Sequence, residues 1–176
     1  AILKQKFQNL KLILKDQSNL YDKKAEEYLD MIKTTKYGKY LNIDVINDII
    51  FISKNLDLIS LNRLYNLTDC YVSPYRAEGF NLPPLEAAAV GTPIIVTKGG
   101  STDDYFHSSL GLQIDSVPFE NNDSRKVEPK MDSLIECIEK IILNPNDFGQ
   151  IKGSKFIQNN YNWKIITNQL YKVFNE

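Results

Sequence analysis

Two carboxylates, Glu78 and Glu86, flank a loop that contains Gly79 and runs into Pro83 and Pro84. Proline suits the first turn of a helix, so the sequence predicts a helix that begins near Pro84 and holds Glu86 in its first turn. The N–H groups and positive dipole end of such a helix favour an anion such as a phosphate. Glu86 could then accept two hydrogen bonds from a vicinal diol such as that of ribose. Glu78 could reach a second polyol, such as the hexose of a nucleotide sugar.

The segments around this loop predict a strand, a helix and a second strand. A β-forming run at Cys70–Val72 ends at Pro74, and Gly91 and Pro93 terminate the helix before the apolar run Ile94–Val96. Two strands joined by so short a helix indicate a parallel crossover. Ligands of open parallel α/β sheets bind beyond the carboxyl ends of the strands, which is where this loop would lie.

Each carboxylate also has a plainer interpretation. A glutamate in a first helical turn is stabilised by the helix dipole alone, so Glu86 by itself is compatible with a structural role. Glu78 by itself is compatible with a solvated surface group. Only the complete string of residues distinguishes the two interpretations.

That string resembles the signature of the retaining glycosyltransferases of the GT-B fold, a family that includes sucrose synthases and bacterial capsule and lipopolysaccharide transferases. The matching positions are Pro74, Glu78-Gly79-Phe80-Asn81-Leu82-Pro83, Leu85-Glu86-Ala87, Ala89 and Gly91-Thr92-Pro93-Ile94-Ile95. Flanking positions agree, namely Leu64-Tyr65, Thr68-Asp69, Gly99-Gly100 and Tyr161-Asn162-Trp163. The resemblance extends from about Leu10 onward and implies the C-terminal, donor-binding domain of such an enzyme.

The resemblance implies a role for each residue of the loop. Glu86 would hold the ribose hydroxyls, and Glu78, the expected catalytic residue, would meet the transferred sugar. Contacts to the donor sugar and diphosphate would come from Gly79, Phe80, Asn81 and Leu82. The family more often has glycine where this chain has Asn81, so that side chain could narrow the sugar pocket or add an amide contact.

A nucleobase site is expected in the turn after the apolar run Ile49–Ile52. The resemblance implies that the backbone near Lys54 and Asn55 faces the base, although the glycine usual in this turn is absent.

The fold expected from these features is α/β: a Rossmann-like open parallel sheet with helices on both faces, forming one nucleotide-sugar-binding domain over residues 1–176. The resemblance places residue 1 within a helix that follows the first strand and its basic, diphosphate-binding turn. We therefore expect that strand, that turn and the acceptor-binding domain to be missing from this chain. A strand is predicted at Leu10–Leu14, and Asp22 is predicted to cap a helix.

Toward the C-terminus the pattern is mixed. Residues 116–130 show no periodicity, which predicts a surface loop that either edges the ligand cleft or is a tolerated insertion. Three helices are predicted to follow it. The tyrosines and Trp163, which stand at helical spacing, are expected in the core.

Composition excludes several classes of function. The net charge of −1 and the absence of a clustered basic face argue against nucleic acid as a partner. Cys70 and Cys137 lie in apolar runs, which indicates reduced, buried thiols in a cytoplasmic protein. The single histidine leaves no metal motif, and no run approaches the ~20 apolar residues of a bilayer span. Abundant Asn, Ile, Lys and Tyr suggest a bacterial source.

The sequence therefore predicts a retaining hexosyltransferase that uses a UDP- or GDP-sugar without a metal or cofactor, as in polysaccharide biosynthesis. A glycan or lipid-linked acceptor would bind through the missing N-terminal domain, peripheral membrane association of the parent enzyme stays open, and the chain by itself would be inactive. The alternative is a non-catalytic sugar-nucleotide-binding or partner-docking α/β domain. An unrelated flavodoxin-like or response-regulator domain is disfavoured, since its early acidic pair is not evident.

Overall fold

Residues 1–16, 24–119 and 126–175 are described by a computed structural model of the chain. They divide into two compact units, Ala1–Asp57 and Leu58–Glu176, and each unit has its own parallel sheet. The prediction of one domain over residues 1–176 stays a prediction. The predicted helix cap at Asp22 lies outside the described residues.

The first unit contains two parallel strands, β1 (Leu12–Lys15) and β2 (Ile49–Ile52), which confirms both predicted strands to within two residues. Asp16, at the carboxyl end of β1, accepts hydrogen bonds from the Ala25 backbone N–H at 2.8 Å and the Ser53 hydroxyl at 2.9 Å. These bonds join the end of the strand to the next helix and to the turn after β2. The helical segments are α1 (Ile2–Lys6), α2 (Ala25–Lys33), a 3-10 helix (Gly38–Tyr40) and α3 (Ile43–Asn47).

The second unit is built on three parallel strands in the order β3 (Tyr71–Ser73), β4 (Ile94–Thr97) and β5 (Gly111–Ile114). Its helices are α4 (Leu58–Leu67), α5 (Leu82–Ala89), a 3-10 helix (Ser101–Asp104), α6 (Met131–Leu143), α7 (Gln150–Asn160) and α8 (Trp163–Asn175). The chain passes from β3 through α5 into the parallel strand β4. This confirms the predicted crossover at the centre of the sequence motif.

Both faces of the second sheet are covered by helices. Every residue of β4 is buried, because a central parallel strand is shielded on both sides. Ile94 and Val96 belong to one core cluster with residues of α5 and α7, whereas Ile95 belongs to a second cluster with Cys137 and Ile141 of α6. The predicted α/β fold with helices on both faces is confirmed in this unit.

Gly91 ends α5, as the sequence predicts. Its φ of +95° lies in the left-handed region that glycine adopts without a steric penalty. The first residue of α7 packs directly against it, since the Gln150 N–H donates to the Gly91 carbonyl at 2.6 Å and a Cβ on Gly91 would lie 3.2 Å from the Gln150 carbonyl oxygen. A side chain here would therefore disturb the contact between α5 and α7.

The strands are distributed differently from the single open sheet that was predicted. Parallel pairing is confirmed, but the strands form separate sheets of two and three strands, and no strand of the described residues bonds to both. Apolar runs identify strands, whereas strand neighbours are chosen by pairing between distant segments, which the runs do not encode.

Residues 116–119 and 126–130 are also more ordered than predicted. The strand β6 (Ser116–Pro118) pairs antiparallel with β7 (Val127–Pro129), and the Lys130 N–H donates to the Asp115 carbonyl at the base of this hairpin, at 2.8 Å. Strands of three residues that end in proline are too short to show a twofold hydrophobic period, so the sequence pattern missed them.

Helix α8 leaves its apolar residues in solvent. Trp163 is 86% exposed and Phe174 78%, so the prediction that Trp163 is a core residue is wrong. Tyr65, Tyr75 and Tyr105 are buried as expected, whereas Tyr28, Tyr37, Tyr40 and Tyr171 are exposed, contrary to the prediction. Helical spacing identifies an apolar stripe but not what covers it. Among the described helices, none has both the length and the apolar character that crossing a bilayer requires.

Candidate functional site

Residues 74–81, the β3–α5 loop, lie at the carboxyl end of β3 and contain Glu78. Glu78, Gly79 and Phe80 are exposed, whereas Asn81 is only 8% exposed. The Phe80 ring contacts the buried Tyr105 ring, with centroids 5.3 Å apart. The loop thus presents Glu78 to solvent while its last residue is fixed in the protein.

Asn81 fixes the junction between the loop and α5. Its backbone is left-handed, with φ +61° and ψ +68°, a conformation that asparagine tolerates better than most residues other than glycine. Its amide donates to the Ser73 hydroxyl at 2.9 Å, and its carbonyl accepts from the Tyr105 hydroxyl at 2.8 Å. Glycine and asparagine both adopt this left-handed backbone more readily than other residues do. The Asn81 amide nitrogen thus donates within the protein, and a contact of this side chain with a sugar stays a prediction.

Four consecutive backbone N–H groups in front of α5 have no acceptor in the described part of the chain. They belong to Gly79, Phe80, Asn81 and Leu82. The next two residues, Pro83 and Pro84, have no N–H. The donors of this helix end are therefore concentrated in the loop itself, where unpaired N–H groups and the helix dipole favour an anion.

Glu86 lies in the second turn of α5, which corrects the prediction that it occupies the first. The helix begins at Leu82 rather than near Pro84, since the prolines occupy its second and third positions, where no backbone N–H is required. The exposed Glu86 carboxylate accepts a hydrogen bond from the buried Tyr65 hydroxyl, with 3.0 Å between Oη and Oε2. Its other oxygen, Oε1, has no hydrogen-bond partner among the described residues.

The pKa of Tyr65 is affected by Glu86, and the pKa of Tyr71 is affected by both Glu86 and Glu78. Burial raises the pKa of Tyr65 first, and the hydrogen bond to Glu86 raises it further. The pKa of Tyr71 is raised by burial and then by the charges of Glu86 and Glu78. Glu78 and Glu86 therefore both act electrostatically on one phenol at the start of β3, although eight residues separate them in the chain.

The turn after β4 borders the same sheet edge and is internally braced. Asp103 accepts from the Gly99 N–H at 2.8 Å and from the Gln113 amide at 2.6 Å. The buried Tyr75 hydroxyl donates to the Thr97 carbonyl at 2.9 Å, and its ring would lie 2.7 Å from a Cβ on Gly100. Asp103, to which the sequence assigned no role, has a structural one.

Residues 1–163 match the model of a known family, described as "Glycosyl transferases group 1". The chain belongs to the group 1 glycosyl transferases. This match covers the first unit, most of the second unit and every residue of the β3–α5 loop.

The chain is also similar to proteins of two Sulfolobus viruses. The chain is 32% identical over 115 residues to "Putative glycosyltransferase 63" of the Sulfolobus islandicus filamentous virus (isolate Iceland/Hveragerdi), covering 62% of this chain and 38% of that protein. It is 28% identical over 116 residues to "Uncharacterized protein 356" of Sulfolobus islandicus rod-shaped virus 1, covering 63% of this chain and 32% of that one. This chain therefore spans about a third of the length of these relatives.

Two solved structures share the fold of this glycosyl transferase chain. Sucrose-phosphate synthase from Thermosynechococcus elongatus has a TM-score of 0.66 at 22% identity, over 94% of this chain and 38% of that one. A glycosyltransferase from Rickettsia africae ESF-5 has a TM-score of 0.65 at 14% identity, over 98% of this chain and 41% of that one. At these identities the similarity establishes the GT-B fold.

Lys54 and Asn55 are the residues of this glycosyl transferase chain that were predicted to contact a nucleobase. Lys54 and Asn55 are exposed in the turn after β2, in the first unit, whereas the glutamate pair lies in the second. Their role at a nucleobase stays a prediction. The described residues contain no group of three or more His, Cys, Asp or Glu side chains arranged to hold a metal ion.

Sequence reasoning missed the residues that brace the site. Tyr65 and Tyr105 were assigned only to the core, but their hydroxyls bond to Glu86 and to the Asn81 backbone. The available signal was the Leu64-Tyr65 pair that accompanies the motif. Arg76, which forms an ion pair with Glu128, had no signal at all, because its partner is 52 residues away.

Proposed function

We propose that this chain is the donor-binding part of a retaining glycosyltransferase that moves a hexosyl group from a UDP- or GDP-sugar to a glycan or lipid-linked acceptor. The observation that carries the proposal is the run of four unpaired N–H groups, Gly79–Leu82, which lies between two carboxylates at the start of α5. This arrangement provides donors for a diphosphate and acceptors for sugar hydroxyls within one short segment.

The chemistry follows from which atoms are already engaged. Glu86 Oε1 is open to accept from a ribose hydroxyl, while Tyr65 holds Oε2 and so restricts the carboxylate to one orientation. The N–H groups of the loop would bind the diphosphate and stabilise the negative charge that grows on it as the bond to the sugar breaks. The exposed Glu78 would face the transferred hexose. These dipoles let the leaving group depart without a metal ion in this proposal.

The rest of the reaction is assigned to parts of the enzyme beyond these residues. The chain covers 38% and 41% of the lengths of the two solved structures. We propose that the acceptor binds to a further domain, and that the enzyme works in the cytoplasm in glycan or polysaccharide synthesis.

The test is titration of the 176-residue chain with UDP and GDP, followed by NMR. We expect shifts of the Gly79–Leu82 amide signals, and we expect Glu86→Ala to weaken binding about ten- to a hundredfold, since charge-assisted hydrogen bonds contribute about 1.5–3 kcal/mol. Glu136→Ala, which removes an exposed glutamate of α6, is the matched control and should bind like the parent. Equal binding by the Glu86 variant would contradict the ribose role.

A further inference from the structure

The β6–β7 hairpin contacts the β3–α5 loop at Arg76, two residues before Glu78. The Arg76 guanidinium donates from Nε to Glu128 Oε2 at 2.5 Å and from Nη2 to Glu128 Oε1 at 2.8 Å. The same hairpin adds a backbone bond, since the Val127 N–H donates to the Arg76 carbonyl at 2.9 Å. The Phe119 ring lies under the guanidinium, with its centroid 5.9 Å from Cζ. Three independent contacts therefore converge on one loop residue.

Hydrogen bonds also fix the hairpin to the rest of the second unit. The Ser116 hydroxyl donates to the Lys98 carbonyl at 2.7 Å, at the carboxyl end of β4. At the base of the hairpin, the Asp115 N–H donates to the Ser133 hydroxyl at 2.9 Å, in the first turn of α6. Because the hairpin is attached to the sheet and to α6, its contacts with Arg76 fix the loop relative to both of these elements.

Among the described residues, these contacts leave a short span whose one further contact is that of the Phe80 ring with Tyr105. Tyr75 and Arg76 are held on one side, and Asn81 is held on the other by Ser73 and Tyr105. The span between them is 77–80, and Glu78 lies within it. Restraining both ends of a short segment removes most of its conformational freedom, so the position of Glu78 depends on both anchors.

We propose that Arg76 and Glu128 are positioning residues: the hairpin holds residues 77–80 so that Glu78 and the Gly79–Leu82 amides face a donor sugar nucleotide together. The donor ligand in this inference rests on the proposed function, whereas the restraint of residues 77–80 by the hairpin does not. The bidentate geometry supports it, because a planar guanidinium fits a carboxylate in one orientation and so specifies direction as well as attraction. The Arg76 contact also holds the pKa of the Glu128 carboxyl below its usual range.

The test is Glu128→Gln in the full 176-residue chain, with amide order parameters of residues 77–80 measured by NMR without any ligand. We expect those values to fall from about 0.85, typical of rigid backbone, toward 0.6, while the rest of the second unit is unchanged. UDP or GDP affinity should fall about two- to fivefold, as loss of one partly exposed ion pair implies. Glu136→Gln is the control for charge removal.

Charge reversal separates positioning from simple damage. The double variant Arg76→Glu with Glu128→Arg should restore both the order parameters and the affinity, whereas Arg76→Glu by itself should lose both. Unchanged loop order in Glu128→Gln would overturn the inference, whatever the nucleotide does. A parent chain that binds neither UDP nor GDP would overturn the proposed function, and loosening of the loop in Glu128→Gln would still support the hairpin's role.

Discussion

At the scale of single residues, the site depends on phenols that were not part of the motif. Tyr65 is buried beneath the exposed Glu86 and donates to it, which lets a surface carboxylate keep one orientation. The bond has two effects: it orients the Glu86 carboxylate, and it pairs the Tyr65 hydroxyl, which burial would otherwise leave without a partner.

Replacement of Tyr65 by phenylalanine tests this arrangement. We expect a loss of about 1 kcal/mol in the free energy of unfolding, because the bond has a charged acceptor that is itself exposed to solvent. Nucleotide affinity should also fall, since the Glu86 carboxylate becomes free to rotate. Thermal denaturation and UDP titration measure the two effects. Tyr171→Phe changes an exposed phenol of α8 and should alter neither.

The same variant has a signature in alkali. The folded protein raises the pKa of Tyr65 above its unfolded value of about 10, so the stabilisation is complete below that pH and is lost as pH rises further. We expect the parent to lose stability more steeply above about pH 10 than Tyr65→Phe. Tyr71 and Tyr105, whose pKa values are also raised, should leave the variant with part of the slope. Identical slopes would contradict this assignment.

At the scale of elements, the start of α5 combines an unusual backbone with unpaired donors. The left-handed Asn81 turns the chain from the exposed loop into the helix, and its two hydrogen bonds hold that turn on β3 and on Tyr105. The Gly79–Leu82 N–H groups at this turn have no acceptor among the described residues, as is usual for donors at a helix start.

Two substitutions at Asn81 separate conformation from hydrogen bonding. Asn81→Gly and Asn81→Ala both remove the bond to Ser73, but only alanine adds the left-handed penalty of about 1–2 kcal/mol. We therefore expect the alanine variant to be the less stable of the two, as measured by urea denaturation. Equal stabilities would show that the backbone can leave the left-handed region without cost.

At the scale of the whole molecule, the chain spans about a third of the length of the curated relatives it matches. The single arginine of the β3–α5 loop is engaged by Glu128, so the diphosphate would meet backbone dipoles more than side-chain cations. A helix dipole contributes about 0.3–1 kcal/mol when exposed, whereas a charge-assisted hydrogen bond contributes about 1.5–3 kcal/mol.

We accordingly expect the 176-residue chain to transfer no sugar and to bind UDP- and GDP-sugars only in the high-micromolar to millimolar range. Calorimetry and a turnover assay measure these two properties. A low-micromolar affinity, or any transfer by this chain, would show that the donor site needs nothing beyond these residues.

Features that the sequence determined by itself are those set by neighbouring residues. Gly91 marked the end of α5, apolar runs marked β2 and β4, and the motif around Glu78 and Glu86 indicated the family. Such signals are local, because turn chemistry and hydrophobic period act over a few residues.

The tertiary structure decided whatever depends on contacts between distant segments. The division of the parallel strands into two sheets, the hydrogen bond of Tyr65 to Glu86 and the pairing of Arg76 with Glu128 join residues that no local pattern connects. The start of α5 at Leu82 belongs with these, since Asn81 is stabilised by Ser73 and Tyr105. The motif therefore predicted which residues would bind a donor, and packing between segments far apart in the chain determined how those residues are held.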